Sequence, residues 1–286
     1  MTRPHVEFIQ SQALSWTPST WTGWYEGTQL KILSEDANTG AISALIKYPA
    51  GWSITEQFFI DADEELFVLT GKVRVGSERY DEYSYAHLPS GFLRTGAHCE
   101  AESIILTFLS KAPRSELADI SSCDMSRLIR KIDALSAPLS TDFAKLGVRN
   151  APDAALRVQT ASFLLLREDP YTREQTWILA ARGLRHGNRE EIHPVVEEMY
   201  LLGGDLIGPN GTMLPGAYFW RPAGIKHGPF GSKAGSLIFH RAIGGPLSTT
   251  YVEGADHFQW DPEYRPVLPP YLARYRTSSI PNTSAY

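Results

Sequence analysis

The sequence predicts an all-β protein built from two similar sandwich or barrel domains in tandem, and three observations predict it. The first is an internal repeat at a constant offset of 133 residues. Ser34-Glu35-Asp36-Ala37-Asn38-Thr39 reads against Arg167-Glu168-Asp169-Pro170-Tyr171-Thr172, and Glu64-Glu65-Leu66-Phe67-Val68-Leu69-Thr70-Gly71 against Glu197-Glu198-Met199-Tyr200-Leu201-Leu202-Gly203-Gly204. Pro89-Ser90-Gly91 then falls on Pro222-Ala223-Gly224, and Ser103 to Leu106 on Ser236 to Phe239. A spacing kept without a gap over so long a stretch is the mark of a tandem duplication. The second observation is that each half breaks into short runs of Val, Ile, Phe, Tyr and Thr, punctuated by Gly, Pro and Asn about every ten residues. The third is the supply of core: 286 residues, 43% hydrophobic and 11% aromatic, fill two domains and exclude global disorder.

The elements follow in order. Residues 1–118 form the first barrel, with a turn at Val73 to Gly76. Residues 119–139 link the halves. Within them Asp124 to Leu135 carries apolar residues at helical spacing behind an Asp able to cap an N-terminus, which predicts a short helix. Residues 140–255 form the second barrel, where Pro209-Asn210-Gly211 signals a hairpin. Residues 256–286 are rich in Pro, Tyr and Arg and should lie as an extended strap over one domain, with disorder expected from Thr277 to Tyr286.

Charge and composition exclude several classes of function. With 27 Lys+Arg against 32 Asp+Glu the net charge is -5, so no electrostatic footprint for nucleic acid or an anionic membrane is present. The opening MTRPHVEFIQ has no apolar core of a secretory signal, and no apolar run is long enough to span a bilayer. Cys99 and Cys123 show no paired spacing. A cytoplasmic protein without structural disulfides is the expectation.

The chemistry falls in the second half. Glu191 and His193 are two apart, which in a strand places both on one face. Glu197 follows four residues later and opens a run that closes at Gly203-Gly204. A second cluster reads Gly216, five residues, Pro222, one residue, Gly224, two residues, His227. These segments resemble the two sequence motifs of the cupin superfamily. His193, Glu197 and Gly204 stand at the second His, the Glu and the closing Gly of the first motif, and Gly216, Pro222, Gly224 and His227 match the second. Two positions depart from the pattern: the first His is Glu191, and the final Asn is Gly231. The wording is most similar to cupins typified by the ChrR anti-sigma factor and acetylacetone-cleaving dioxygenase. The resemblance implies a bicupin, two tandem jelly-roll β-barrels with a short linker helix. It also implies one divalent metal per chain, held by Glu191, His193, Glu197 and His227.

Two imidazoles and a carboxylate facing into a small barrel suit non-haem Fe(II); an added oxygen donor from Glu191 hardens the site towards Fe(II) or Mn(II), with Zn(II) as a further alternative. The first half keeps Glu64, Gly71, Pro89 and Gly91, but Phe58, Ile60 and Arg94 stand at the His positions and Tyr83 at the motif Gly. Arginine offers no lone pair to a metal, so Glu64 and Arg94 are expected to form an internal ion pair in a structural or dimerising domain. A non-motif site from Glu56, His87 and His98 is the other reading of that half. Lesser candidates are His186 and His240 near the motifs, Met199, Tyr218 and Trp220 as cavity lining, and Arg182 and Arg241 for an anionic substrate. His5, His257 and Cys99 are read as non-functional. The expected activity is an Fe(II) dioxygenase acting on a small carbonyl or phenolic compound, with Glu191 as ligand or base. The alternatives are a metal-dependent isomerase, lyase or hydrolase using Glu191 as base, and a metal-binding sensory module. A homodimer is expected, since cupins commonly pair through edge strands.

Overall fold

The computed structural model describes residues 3–117, 123–146, 160–252, 258–276 and 286. The chain divides into two compact units, one of residues 1–3 and 14–137 and the other of residues 4–13 and 138–286. Each pairs a large antiparallel sheet with a smaller one. Central strands such as Ile42–Tyr48 and Ser103–Leu109 are buried along almost their whole length, as expected of ladders covered on both faces. No helix among the described residues is long and apolar enough to cross a membrane.

The duplication is visible in the backbone. The strands Ile42–Tyr48, Val73–Val75, Glu78–Tyr80 and Ser84–Leu88 recur 133 residues later as Gln175–Ala181, Leu206–Gly208, Gly211–Met213 and Ala217–Arg221. Turn conformations recur too. Gly71 and Gly204 have φ +77° and +75°, and Tyr83 and Gly216 both lie in the left-handed region at +63° and +92°. At Gly204 only glycine fits, since a Cβ would sit 1.8 Å from the Gly235 carbonyl oxygen. Tyr83 shows that the same turn is made in the first unit at some conformational cost.

The expected linker helix is corrected by the structure. Asp124 does cap, its side chain accepting from the Ser126 amide, but the helical turn covers only Met125–Arg127. Ile129–Asp133 is a strand instead, paired with Ser84–Leu88. Its β-branched Ile129 and Ile132 suit the pleat, and an open sheet edge supplies the hydrogen bonds that the local helical spacing would have made.

That strand has a counterpart. Val6–Gln10 lies along Ala217–Arg221, with Val6 opposite Trp220 and Gln10 opposite Ala217, and it belongs to the second unit. Ile129 opposite His87 and Asp133 opposite Ser84 repeat this register at the equivalent positions of the first unit. Each large sheet is therefore closed by the strand that precedes the other barrel in sequence. Residues 258–276 run over the second unit: Val267 bridges to Glu7, the Tyr264 hydroxyl donates to the Phe8 carbonyl, and Phe258 stacks on His186. His257 and residues 277–285 lie outside the described residues.

Candidate metal centre

The site is built where two backbone segments of the second unit face each other. The Glu191 amide donates to the His227 carbonyl at 2.9 Å, and the His227 amide returns a bond to Glu191 at 3.1 Å. Such a pair directs both side chains to the same face. The Gly224 amide donates to the His193 carbonyl, fixing the loop that carries the third donor. Glu191, His193 and His227 come together with one candidate ligand atom each, all within 4.8 Å of one another. Glu190, the neighbour in sequence, points away and pairs with Lys226.

The histidines are held in one tautomer. His193 Nδ1 lies 2.9 Å from the Ser248 carbonyl oxygen and His227 Nδ1 lies 2.8 Å from that of Ile225. A carbonyl only accepts, so Nδ1 carries a proton, and Nε2 is the nitrogen that has the lone pair in the neutral ring. His227 Nε2 is buried without a hydrogen-bond partner, 3.7 Å from Glu191 Oε1. Burial pushes the His227 pKa below its ordinary value, Arg221 adds to this, and Glu197 and Glu191 only partly oppose it. Two imidazoles with backbone-fixed rings and an adjoining carboxylate fit a divalent cation.

Glu197 opens the strand Val196–Gly204 and is fully inward, with Oε2 3.5 Å from His227 Nε2 and 3.9 Å from His193 Nε2. The same oxygen accepts from Nη1 of Arg221, its direct cross-strand neighbour, at 2.5 Å. The other end of that guanidinium donates to Glu7, whose second oxygen meets His5 at 2.8 Å. Burial alone would raise the carboxyl pKa of both glutamates. Arg221 and the histidines overcome it and hold each at about 2. His240 completes the ring around Glu197, with Nδ1 3.7 Å from Oε1. Burial lowers its pKa to about 4 despite Glu197, so it is neutral at pH 7, and its ring stacks on Trp177.

A cavity of about 320 Å³ opens beside these groups. Glu191, Glu197 and His240 form its polar wall, Met199, Leu206, Phe219, Phe230 and Ile238 its apolar wall, and Arg185, His186 and Arg189 also line it. Of the three aromatic or sulfur side chains expected to line it, Met199 does. Tyr218 and Trp220 have the opposite strand parity to Phe219, which takes their place, and the Tyr218 hydroxyl is used by Glu198. Arg241 is likewise tied to Glu198, and Arg182 is exposed. Arg221 and Glu7 were not anticipated from the sequence. Arg221 shares the inward parity of Phe219 and could have been found by it, whereas Glu7 lies 214 residues away along the chain with no local signal.

In the first unit the expected ion pair is present: Arg94 Nη2 donates to Glu64 Oε2 at 2.7 Å, and both side chains are almost completely buried. The Tyr25 hydroxyl satisfies Glu64 Oε1 at 2.9 Å. Glu56 and His98 are exposed, while His87 is buried with Nδ1 on the Arg127 carbonyl, so those three are not brought together.

Comparison with known proteins bears on both units. The family model described as the ChrR cupin-like domain matches residues 5–113. A dioxygenase candidate from Nostoc punctiforme superposes with a TM-score of 0.75 at 18% identity, covering 89% of this chain and 92% of its own. Residues 5–113 thus match a cupin family, and the chain as a whole has the cupin fold. A deletion mutant of Bacillus subtilis oxalate decarboxylase aligns over 86% of this cupin and 79% of its own length, with a TM-score of 0.54 at 7% identity. A point mutant of salicylate 1,2-dioxygenase from Pseudoaminobacter salicylatoxidans aligns over 77% and 76%, with a TM-score of 0.51 at 10% identity. At such identities the likeness establishes the fold. Among curated proteins, none matches this cupin in sequence. The family match falls on the half that lacks the ligand histidines, so it reports the barrel rather than the site.

Proposed function

We propose that this cupin is a metal-dependent oxidoreductase, an Fe(II) dioxygenase acting on a small carbonyl or phenolic compound. The observation that carries the reading is the Glu191, His193 and His227 cluster, with both imidazole lone pairs aimed by backbone carbonyls. Glu197 Oε2 is the fourth donor, since a carboxylate oxygen has lone pairs for both Arg221 and a cation. Fe(II) would supply Lewis acidity and a place to bring oxygen and substrate together, and Mn(II) or Zn(II) fit the same donors.

The chain's own residues do the rest. The apolar wall from Met199 to Ile238 excludes water from the ring or carbon skeleton of a substrate. The side chain of Glu191 is 24% exposed, so among the acidic groups of the centre it is the one able to take a proton from an enol or phenol entering the cavity. That accessibility also favours a second reading, an isomerase, lyase or hydrolase in which Glu191 moves protons and oxygen takes no part. The test is metal analysis of anaerobically purified protein, followed by oxygen uptake against a panel of dicarbonyls and phenols. One equivalent of iron with substrate-dependent uptake supports the dioxygenase. Zinc at full occupancy with no uptake moves the assignment to the second reading.

A further inference from the structure

Glu7 does not line the cavity, yet it shares Arg221 with Glu197, which does, and so takes part in the charge balance of the candidate metal centre. The Arg221 guanidinium is 1% exposed and lies 4.0 Å above the Phe219 ring, so its position is fixed. One end grips Glu197 Oε2 and the other grips Glu7. A buried guanidinium on a ligand oxygen competes with a dication for the same negative charge. A second carboxylate on the same guanidinium cancels that competition. Among the carboxylates and Arg221 alone, Glu7 balances the guanidinium and leaves Glu197 and Glu191 as two negative charges, which match a divalent ion; His5 meets only the second oxygen of Glu7. Without Glu7 they present one. In the first unit Glu64 has Arg94 and the Tyr25 hydroxyl as partners, and Leu88 stands at the position of Arg221.

We infer that Glu7 is a positioning residue of the metal centre: by neutralising Arg221 it leaves Glu197 free to face a cation, and it links metal binding to docking of the strand Val6–Gln10. The inference rests on the metal-site reading above. Linkage makes the effect reciprocal, so a bound cation must stabilise the strand as much as the strand improves the affinity.

The experiment uses the full chain and Zn(II) alone as probe. Competitive zinc titration compares the native protein with Glu7→Gln and Glu7→Asp, and amide hydrogen exchange follows residues 6–10 with and without zinc. Glu7→Gln should weaken zinc binding by about 10–100-fold, the range seen when an outer partner of a ligand is lost. Glu7→Asp, which keeps the charge, should recover part of it. Zinc should slow exchange of the strand in the native protein and lose that effect in Glu7→Gln. Native zinc affinity in Glu7→Gln, or equal slowing in both, overturns the inference while leaving the metal site standing. Failure of Glu7→Asp to exceed Glu7→Gln reduces Glu7 to a packing role and overturns it as well. A native protein that takes up no zinc sinks the metal-site reading, and the inference with it.

Discussion

Glu64 and Glu197 open equivalent strands, and an arginine grips each of them, but the arginines arrive from different directions. Arg94 stands at the position equivalent to His227 and is fully buried inside the first barrel. Arg221 comes from the cross-strand neighbour and stands behind Glu197, leaving His193 and His227 in front. The same ion pair therefore closes one site and backs the other. A glutamate–arginine pair in a barrel is not in itself a sign of a lost metal site; the position of the arginine in the ladder decides.

The sheets around the two glutamates differ accordingly. In the first unit Ser53–Ile60 and Leu93–His98 pair from end to end, with one bulge between Thr95 and Ala97 and with Arg94 opposite Phe58. The equivalent stretches of the second unit are interrupted, leaving Arg185–His186, Glu190–Ile192 and Gly231–Ser232 as short strands and a lone bridge between Glu191 and His227. The cavity opens among those interruptions, lined by Gly187, Asn188, Arg189 and Phe230. Loss of ladder hydrogen bonds and gain of a binding cavity are two sides of one change.

The sharpest break between the barrels is metal content. His193→Ala or His227→Ala should take the protein from one equivalent to none, while Arg94→Met should leave one equivalent unchanged, as read by elemental analysis of the purified protein. Next in size is stability. Removing one partner of the Glu64–Arg94 pair strands a buried charge and should cost about 3–5 kcal/mol in urea denaturation. Replacing both with apolar residues of similar volume should cost less than either single change. In acid the second barrel should yield through Glu7 and Glu197, each held at about 2 against an ordinary 4.5. Their folded pKa values are depressed, so their contribution is complete above about pH 4.5 and is lost as pH falls towards 2. The urea midpoint of the metal-free protein should fall across that window, less steeply in Glu7→Gln. At the candidate centre, Glu191→Gln should cut turnover by about 10²–10⁴-fold with metal retained if Glu191 is the base. A loss of metal that excess cation restores would make it a ligand. The smallest effect belongs to Glu190→Gln, below about 1 kcal/mol and silent in turnover, because its partner Lys226 is half in solvent.

Much of this was legible in the sequence, for reasons that particular residues make clear. The repeat was readable because its strands kept their spacing through turns that tolerate only certain backbones, as Gly71 and Gly204 show. The inward parity of Glu191 and the Glu64–Arg94 pair followed from alternation and from the offset. The segment from Asp124 misled because its cap and apolar spacing are local, whereas its strand pairing with Ser84–Leu88 is not. Arg221 was hidden by having leucine as its counterpart in the first half, whereas His240 was a lesser candidate only, with Thr107 as its counterpart. Glu7 could not be read at all, since the partner that gives it meaning is on the far side of the duplication.

The exchanged edge strands have a consequence in time. All five residues of Val6–Gln10 are buried in the finished molecule, and their partner strand is Ala217–Arg221. A ribosome adding about 5–20 residues per second needs on the order of ten to forty seconds to make the intervening chain. During that interval the first barrel can complete itself with Ile129–Asp133, while Val6–Gln10 waits for its partner strand. Synthesis thus holds open the last seam of the second barrel until the strand Ala217–Arg221 emerges.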